Sequence, residues 1–352
     1  MGTKVQLKTL KINNLFGYKN IVLDFDDVNV LVGRNGLGKT TILKILNAML
    51  NGDFNCSELK LCRSASIVFT NKATIAYERN NKIEMIAKDT FKKVISEHLS
   101  EFLQKDKSNF INKLQNELVK EMKFQIEMDE RNYFKNINKF KYEHYFSEID
   151  NNAKGSIKIS KALQDYISNC CEIRYVSTIN MSANAQQEIK MSSGKEKNIL
   201  NWELNQELTE LAKDKTSIHT AKFIKIASNL LHESGKEFKI KKWKNINKFV
   251  TIDKVSRENI RIEHLSSGER QLLYILSRVA NTKNKAAFFL MDEPEISLHL
   301  NWQEKLISSI KKLNENCQII IVTHSPAIVM DGYMDAYIDM SDITMETSDV
   351  RI

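Results

Sequence analysis

The residues of this chain that could do chemistry gather in four short stretches. The first is Gly33-Arg34-Asn35-Gly36-Leu37-Gly38-Lys39-Thr40-Thr41, which fits the spacing G-x-x-x-x-G-K-S/T. Glycines in such a loop let successive backbone N–H groups converge on one point, and a helix opening behind them adds its positive end. That arrangement cradles a polyphosphate. Lys39 would reach the β- and γ-phosphates, and the Thr40 hydroxyl would ligate Mg²⁺. The flanks agree with this reading. Val28-Asn29-Val30-Leu31-Val32 reads as a buried strand, and residues 41–50 are apolar at helical spacing. A nucleotide is the expected ligand, but the loop alone does not say what it is used for.

The second stretch is Leu265-Ser266-Ser267-Gly268-Glu269-Arg270-Gln271, which opens an apolar helix. A serine and a glycine at a helix N-terminus make another anion site from N–H groups and a hydroxyl. The third is Ala286-Ala287-Phe288-Phe289-Leu290-Met291-Asp292-Glu293-Pro294-Glu295. Its apolar run predicts a central strand, with carboxylates at the C-terminal edge, where open α/β sheets bind ligands. Asp292 would hold Mg²⁺ through water beside Thr40, and Glu293 would orient and polarise the attacking water. The fourth, Gln318-Ile319-Ile320-Ile321-Val322-Thr323, predicts a strand ending in His324, placed to sense or stabilise the γ-phosphate.

These groups need a scaffold. Residues 5–12 alternate apolar and polar as a half-buried strand, 13–20 read as a turn, and 21–25 as a second strand. Runs at 65–69 and 73–77 extend this into an antiparallel sheet beside the nucleotide. The N-terminal lobe is expected over 1–89, a helical insertion over 90–170 and a C-terminal lobe over 171–352. In the insertion, apolar residues recur at Val94, Leu99, Leu103, Phe110, Leu114, Leu118 and Met122. Basic and acidic residues balance at eleven each between 91 and 150, so a solvated helix pair fits better than a nucleic-acid arm. The aromatics Tyr133, Phe134, Phe140, Tyr142, Tyr145 and Phe146 would pack that pair, or stack on bases. Farther on, 173–177 reads as strand, 182–197 as a polar loop, 203–233 as helix, and 238–240, 249–252 and 260–262 as short strands.

The net charge of +8 permits an acidic partner without requiring one. Nine basic residues against three acidic ones lie between 235 and 261. With Trp243 beside Lys241, Lys242 and Lys244, this is either a surface for nucleic acid or another acidic partner, or an exposed lysine-rich hairpin. The five cysteines show no C-x-x-C spacing, so reduced thiols without a zinc site are expected. No apolar run reaches the roughly 18 residues of a membrane helix, and a cytoplasmic protein is expected.

In order, the phosphate loop, the long insertion, Leu265-Ser266-Ser267-Gly268-Glu269, the apolar run into Asp292-Glu293-Pro294 and the strand before His324 resemble the ABC-type P-loop ATPases. Within the AAA family the likeness is to the RecF, SMC and OLD-like branch. Glu293-Pro294-Glu295-Ile296-Ser297-Leu298-His299, followed by Trp302-Gln303, looks like the form found in OLD-family and related prokaryotic defence ATPases. The resemblance implies an α/β fold: an ABC-type head with a mixed sheet, an antiparallel β subdomain and a helical insertion. It implies ATP and Mg²⁺, hydrolysis through Glu293, His324 and Lys39, and a head-to-tail homodimer. Each ATP would lie between residues 33–41 of one subunit and Ser266, Ser267, Gly268 and Glu269 of the other. Phe16, Tyr18 and Lys19 match positions that touch the nucleotide in such relatives. The family's metal-linking glutamine has no counterpart in 61–80, and Gln186 and Gln187 sit in the polar loop. Ser297 and His299 lie where a dimer-crossing loop would be, unless Ser297 caps a helix.

Two helices of about 30 residues reach roughly 45 Å, short of the coiled coils of SMC or DNA-repair relatives. OLD relatives carry a Toprim nuclease after the ATPase, whereas 28 residues follow His324 here. Their acidic residues Asp331, Asp335, Asp339 and Asp342 alternate with apolar ones as a closing strand would. The expectation is a stand-alone ATPase that serves as sensor or scaffold for a separately encoded effector, a nuclease. It is similar to the ATPase subunits of antiphage systems such as PARIS, Septu and the retron-associated ATPases. The alternative is a RecF-like DNA-binding repair ATPase using residues 235–261. An importer ATPase would need a compact helical subdomain with its glutamine loop, which this sequence does not show.

Overall fold

The computed structural model describes residues 5–53, 55–79, 156–177, 188–190, 196–243 and 246–346. The expected helix pair of the insertion, its aromatic cluster, Gln186, Gln187 and Lys244 lie outside them. The chain divides into two compact units, Met1–Ala76 with Lys158–Ile352, and Tyr77–Ile157. All the candidate site residues belong to the first.

In chain order, β1 (Leu7–Leu15), β2 (Lys19–Asp24) and β3 (Val28–Val32) lead to the glycine loop, and α1 (Lys39–Asn51) comes after it. Next come β4 (Ser64–Phe69), β5 (Thr74–Glu78), β6 (Ser156–Ile159), α2 (Lys161–Cys170) and β7 (Cys171–Val176). Helix α2 belongs to the first unit, although its residues read in sequence as the end of the insertion. A short antiparallel pair, β8 (Glu188–Lys190) and β9 (Glu196–Asn198), occupies part of the expected polar loop. Two helices, α3 (Ile199–Lys213) and α4 (Ile218–His232), precede the lysine-rich hairpin of β10 (Lys236–Trp243) and β11 (Ile246–Asp253), with β12 (Asn259–Ile260) at its side. The rest is α5 (Ser267–Ala280), β13 (Ala286–Asp292), α6 (Leu300–Glu304), α7 (Leu306–Leu313), β14 (Cys317–Thr323), β15 (Tyr337–Asp339) and β16 (Thr344–Glu346).

Five strands form a parallel sheet in the order β15-β3-β14-β13-β7. Strands β3, β13 and β14 are apolar and buried almost throughout, as parallel strands covered on both faces must be. Side-chain alternation splits their residues between two layers. Val30, Ala287, Phe289, Met291, Ile319 and Ile321 join a core with α3, α4, α5 and α7. Phe288 points the other way, with its ring centroid 6.2 Å from that of Phe69 in β4, and α1 packs against β13, β14 and β7.

The second sheet runs β16-β2-β1-β4-β5-β6 and is antiparallel around β1. Buried Gln318 of β14 ties it to the parallel sheet. Its Oε1 accepts from the Leu7 N–H at 2.8 Å, and its Nε2 donates to the Leu7 and Asp26 carbonyls at 3.0 and 2.9 Å. Two sequence expectations change here. Strand β1 continues to Leu15, so the turn expected over 13–20 contracts to 16–18, with Asn14 and Phe16 taking a left-handed φ of 55°. The acidic tail supplies two short strands instead of one. β15 joins the parallel sheet beside β3, and β16 pairs with β2 in the other. A turn held by Asp339, whose Oδ1 accepts from the Ser341 N–H at 2.8 Å, breaks the run between them.

Candidate active site

The parallel order places β14 between β3 and β13. The C-terminal ends of the three strands therefore meet at one edge, bringing together the glycine loop after β3, His324 after β14, and Glu293 after β13. Gly38 stands at the N-terminus of α1 with φ +93°, and a Cβ there would lie 3.0 Å from the Phe16 ring. A left-handed bend under an aromatic ring admits only glycine at low cost. Arg34, Asn35 and Gly36 form the exposed tip of the loop, and Leu37 and Thr41 are half-buried. Lys39 is buried, and its Nζ donates to the Gly33 carbonyl at 2.7 Å and to the Arg34 carbonyl at 3.2 Å. Burial lowers the Lys39 pKa, opposed by the carboxylates of Glu293, Asp292 and Glu295.

Thr40 Oγ1 donates to Asp292 Oδ1 at 2.9 Å, across 252 positions of sequence. This bond joins the first and third stretches at the place where both were expected to hold a cation. Burial raises the Asp292 pKa, partly offset by the Thr40 hydroxyl and Lys44 and reinforced by Glu293 and Glu295. Glu293 takes a left-handed φ of 47°, and its N–H donates to the Val322 carbonyl at 2.7 Å. A non-glycine residue in that region is strained, and such strain collects at functional sites. His324 Nε2 lies 3.1 Å from Lys39 Nζ and 3.3 Å from Glu293 Oε1. A neutral Nε2 without hydrogen accepts from Lys39, whereas Nε2–H donates to Glu293, so the histidine's proton selects its partner.

Sequence reasoning did not assign the groups that hold these residues in place. Glu295 Oε1 accepts from the His324 N–H at 2.8 Å. Gln303 Nε2 donates to the Leu298 carbonyl at 2.9 Å, while its Oε1 accepts from Ser325 Oγ at 2.6 Å. Gln271 Nε2 donates to the Pro294 carbonyl at 2.5 Å. Glu295 and Gln303 stand in recognisable motifs, but partners 22 to 29 residues away leave no local signal.

The second stretch is a helix start. Ser266 caps α5 in a reciprocal box: its Oγ accepts from the Glu269 N–H at 3.2 Å, and its own N–H donates to Glu269 Oε2 at 2.9 Å. Glu269 is buried, and its other oxygen accepts from Lys236 Nζ at 2.5 Å and Ser234 Oγ at 2.8 Å. That carboxylate, expected to face a nucleotide, is committed to the cap and to Lys236. Ser267 opens the helix, and Gly268 is buried against Ser297, whose carbonyl oxygen would lie 2.3 Å from an added Cβ. Ser297 has φ 76°, and His299 occupies the N-cap position of α6, so Ser297 does not cap it. In the first hairpin, Phe16 meets the loop at Gly38. Lys19 is buried with its Nζ 5.1 Å from the ring centroid of Tyr18, which is exposed.

The family described as AAA ATPase domain matches residues 6–329. Septu protein PtuA of Bacillus thuringiensis is 25% identical over 92% of this chain and 72% of its own length. Retron Ec83 probable ATPase of Escherichia coli is 29% identical over 21% of this chain and 16% of its own length. Among solved structures, the Smc head bound to the C-winged helix domain of ScpA superposes with a TM-score of 0.50. It is 12% identical, covering 97% of each chain, which shows a shared fold. No helix among the described residues is long and apolar enough to cross a membrane. With the Thr40–Asp292 bond, the strained Glu293 and His324 at adjacent strand ends, the chain belongs to the AAA ATPase domain family and is an ATP hydrolase with the ABC-type head fold.

Proposed function

We propose that ATP joins two copies of this chain head to tail and that closure controls a separately encoded effector, a nuclease, in antiphage defence. Each ATP would lie between residues 33–41 of one copy and Ser266, Ser267 and Gly268 of the other. The observation that carries the dimer is the placement of α1 and α5 against opposite faces of the parallel sheet. This placement supports a loop and a signature of one chain that serve different nucleotides. Support for the effector comes from the likeness to Septu protein PtuA along most of the chain.

Mg²⁺ suits the Thr40 and Asp292 donor set, since a hydroxyl and a carboxylate are hard oxygen donors. Among the described residues no cluster of His, Cys, Asp or Glu could hold a metal by itself, which fits an ion that arrives with phosphate oxygens and water. When bound, the ion would neutralise charge on the phosphates. Lys39 leaves its loop carbonyls to contact the phosphates. Glu293 orients a water for attack, and His324, beside both Lys39 and Glu293, senses or stabilises the γ-phosphate.

Glu293→Gln tests this reading. Hydrolysis should fall about a hundredfold or more, and ATP should convert the variant from monomer to dimer in light scattering. A monomer in saturating ATP removes the dimer. Failure of the closed variant to retain any co-expressed nuclease from its own locus removes the effector.

One observation favours the DNA-binding alternative. Lys241 and Lys248 stand directly opposite across β10 and β11, both exposed. Like charges in register destabilise a sheet and are relieved by an anion. Salt-dependent duplex binding lost in a Lys241→Glu, Lys248→Glu variant would support it.

A further inference from the structure

The turn between β13 and α6 carries Glu293, and one helix holds both its ends. Gln271, in the first turns of α5, is fully buried. Its Nε2 donates to the carbonyl of Pro294, the residue after Glu293, at 2.5 Å. Its Oε1 is buried without a hydrogen-bond partner. A half-satisfied buried amide costs stability where an apolar side chain would not, so its presence asks for a functional reason. At the far end of the turn, Gly268 of the same helix packs so closely that a Cβ would come within 2.3 Å of the Ser297 carbonyl oxygen. The turn is strained at both of these ends, with Glu293 at φ 47° and Ser297 at φ 76°. A strained segment takes its shape from what packs on it. Here that is the helix whose first residues are the signature.

We propose that Gln271 is a positioning residue for Glu293 and transmits the placement of the signature helix to the catalytic turn of its own chain. Its amide fixes the Pro294 carbonyl, and the Gly268 contact fixes Ser297, so a shift of α5 moves the backbone that carries Glu293. Whatever seats against Ser266, Ser267 and Gly268 then sets the hydrolytic competence of this chain's own site. The local effect stands on this geometry alone. The transmission between two nucleotides rests on the head-to-tail dimer proposed above.

Gln271→Met removes the donated bond and keeps an unbranched side chain of similar volume. ATP affinity should stay within about twofold, while kcat falls about ten- to a hundredfold. A kcat within about twofold of wild type overturns the proposal. Gln271→Glu separates positioning from packing, because only its protonated form can donate to Pro294. Burial raises a carboxyl pKa, so kcat of this variant relative to wild type should climb between about pH 8 and about pH 6. A flat ratio overturns the positioning role even if the methionine variant misfolds. For transmission, the rate against ATP concentration should be cooperative in wild type and become hyperbolic in Gln271→Met. Cooperativity retained by that variant, in a chain that forms the ATP dimer, overturns transmission and leaves the dimer standing. A Glu293→Gln variant that stays monomeric in ATP instead removes the dimer, and the Gln271 rates still decide the local role.

Discussion

Asp292 shows what a hydrolytic site costs its own fold. The carboxylate is buried, and burial raises its pKa although Thr40 and Lys44 act against the shift. A raised carboxyl holds its proton more tightly folded than unfolded. Its ionisation therefore weakens the fold as pH rises through the folded value. Asp292→Asn keeps an acceptor for Thr40 and removes the charge. The variant should lose hydrolysis yet melt about 2 °C higher near neutrality. Its advantage should vanish on acidification, as the wild-type residue protonates. Calorimetry across pH checks this, and a melting temperature that falls at every pH counts against the assignment. Lys39→Ala removes a charge-assisted contact and should weaken ATP binding about tenfold or more by equilibrium titration. These residues were legible in the sequence because loop spacing and strand-end carboxylates are local patterns. The motif of Glu269 is local too, but its partner Lys236 lies 33 residues away and left no signal in the sequence.

At the scale of elements, the N-terminus of α5 depends on that partner. Burial opposes ionisation of Glu269, and Lys236, the Ser266 N–H and Ser234 together hold its pKa below the usual range. Removing one member of a buried pair strands the other charge. Lys236→Met should lower unfolding free energy by about 3 kcal/mol in denaturant titrations. Adding Glu269→Gln should recover part of the loss, because the charge left behind is gone. A loss in the double variant equal to the sum of the two single losses would show that the pair is not coupled. The hairpin that carries Lys236 and the strand beside it read in sequence as three short strands, 238–240, 249–252 and 260–262. The structure shows β10 and β11 as eight-residue strands, since cross-strand pairing extends past the apolar residues into the lysines. Periodicity detects the face that packs and misses the polar length that pairing supports.

For the molecule as a whole, a composite site has an arithmetic consequence. In the head-to-tail homodimer proposed above, Lys39→Ala and Ser267→Arg would each disable one half of every site. Mixing the two inactive proteins assembles heterodimers with one intact site, and should return about a quarter of the wild-type rate. Mixtures that stay inactive would mean that loop and signature serve the same chain's nucleotide.

The sequence alone determined the strand, glycine loop and helix around Lys39, the carboxylates after β13 and the histidine after β14. Each depends on spacing along one element. Only the tertiary structure decided that β14 lies between β3 and β13. That order sets His324 between Lys39 and Glu293, and brings Thr40 to Asp292. It also decided that the tail divides between two sheets, that Glu269 turns inward, and that Gln271 reaches Pro294. These depend on which buried faces and hydrogen-bonding groups meet across distant parts of the chain, a choice made by packing and invisible to local spacing.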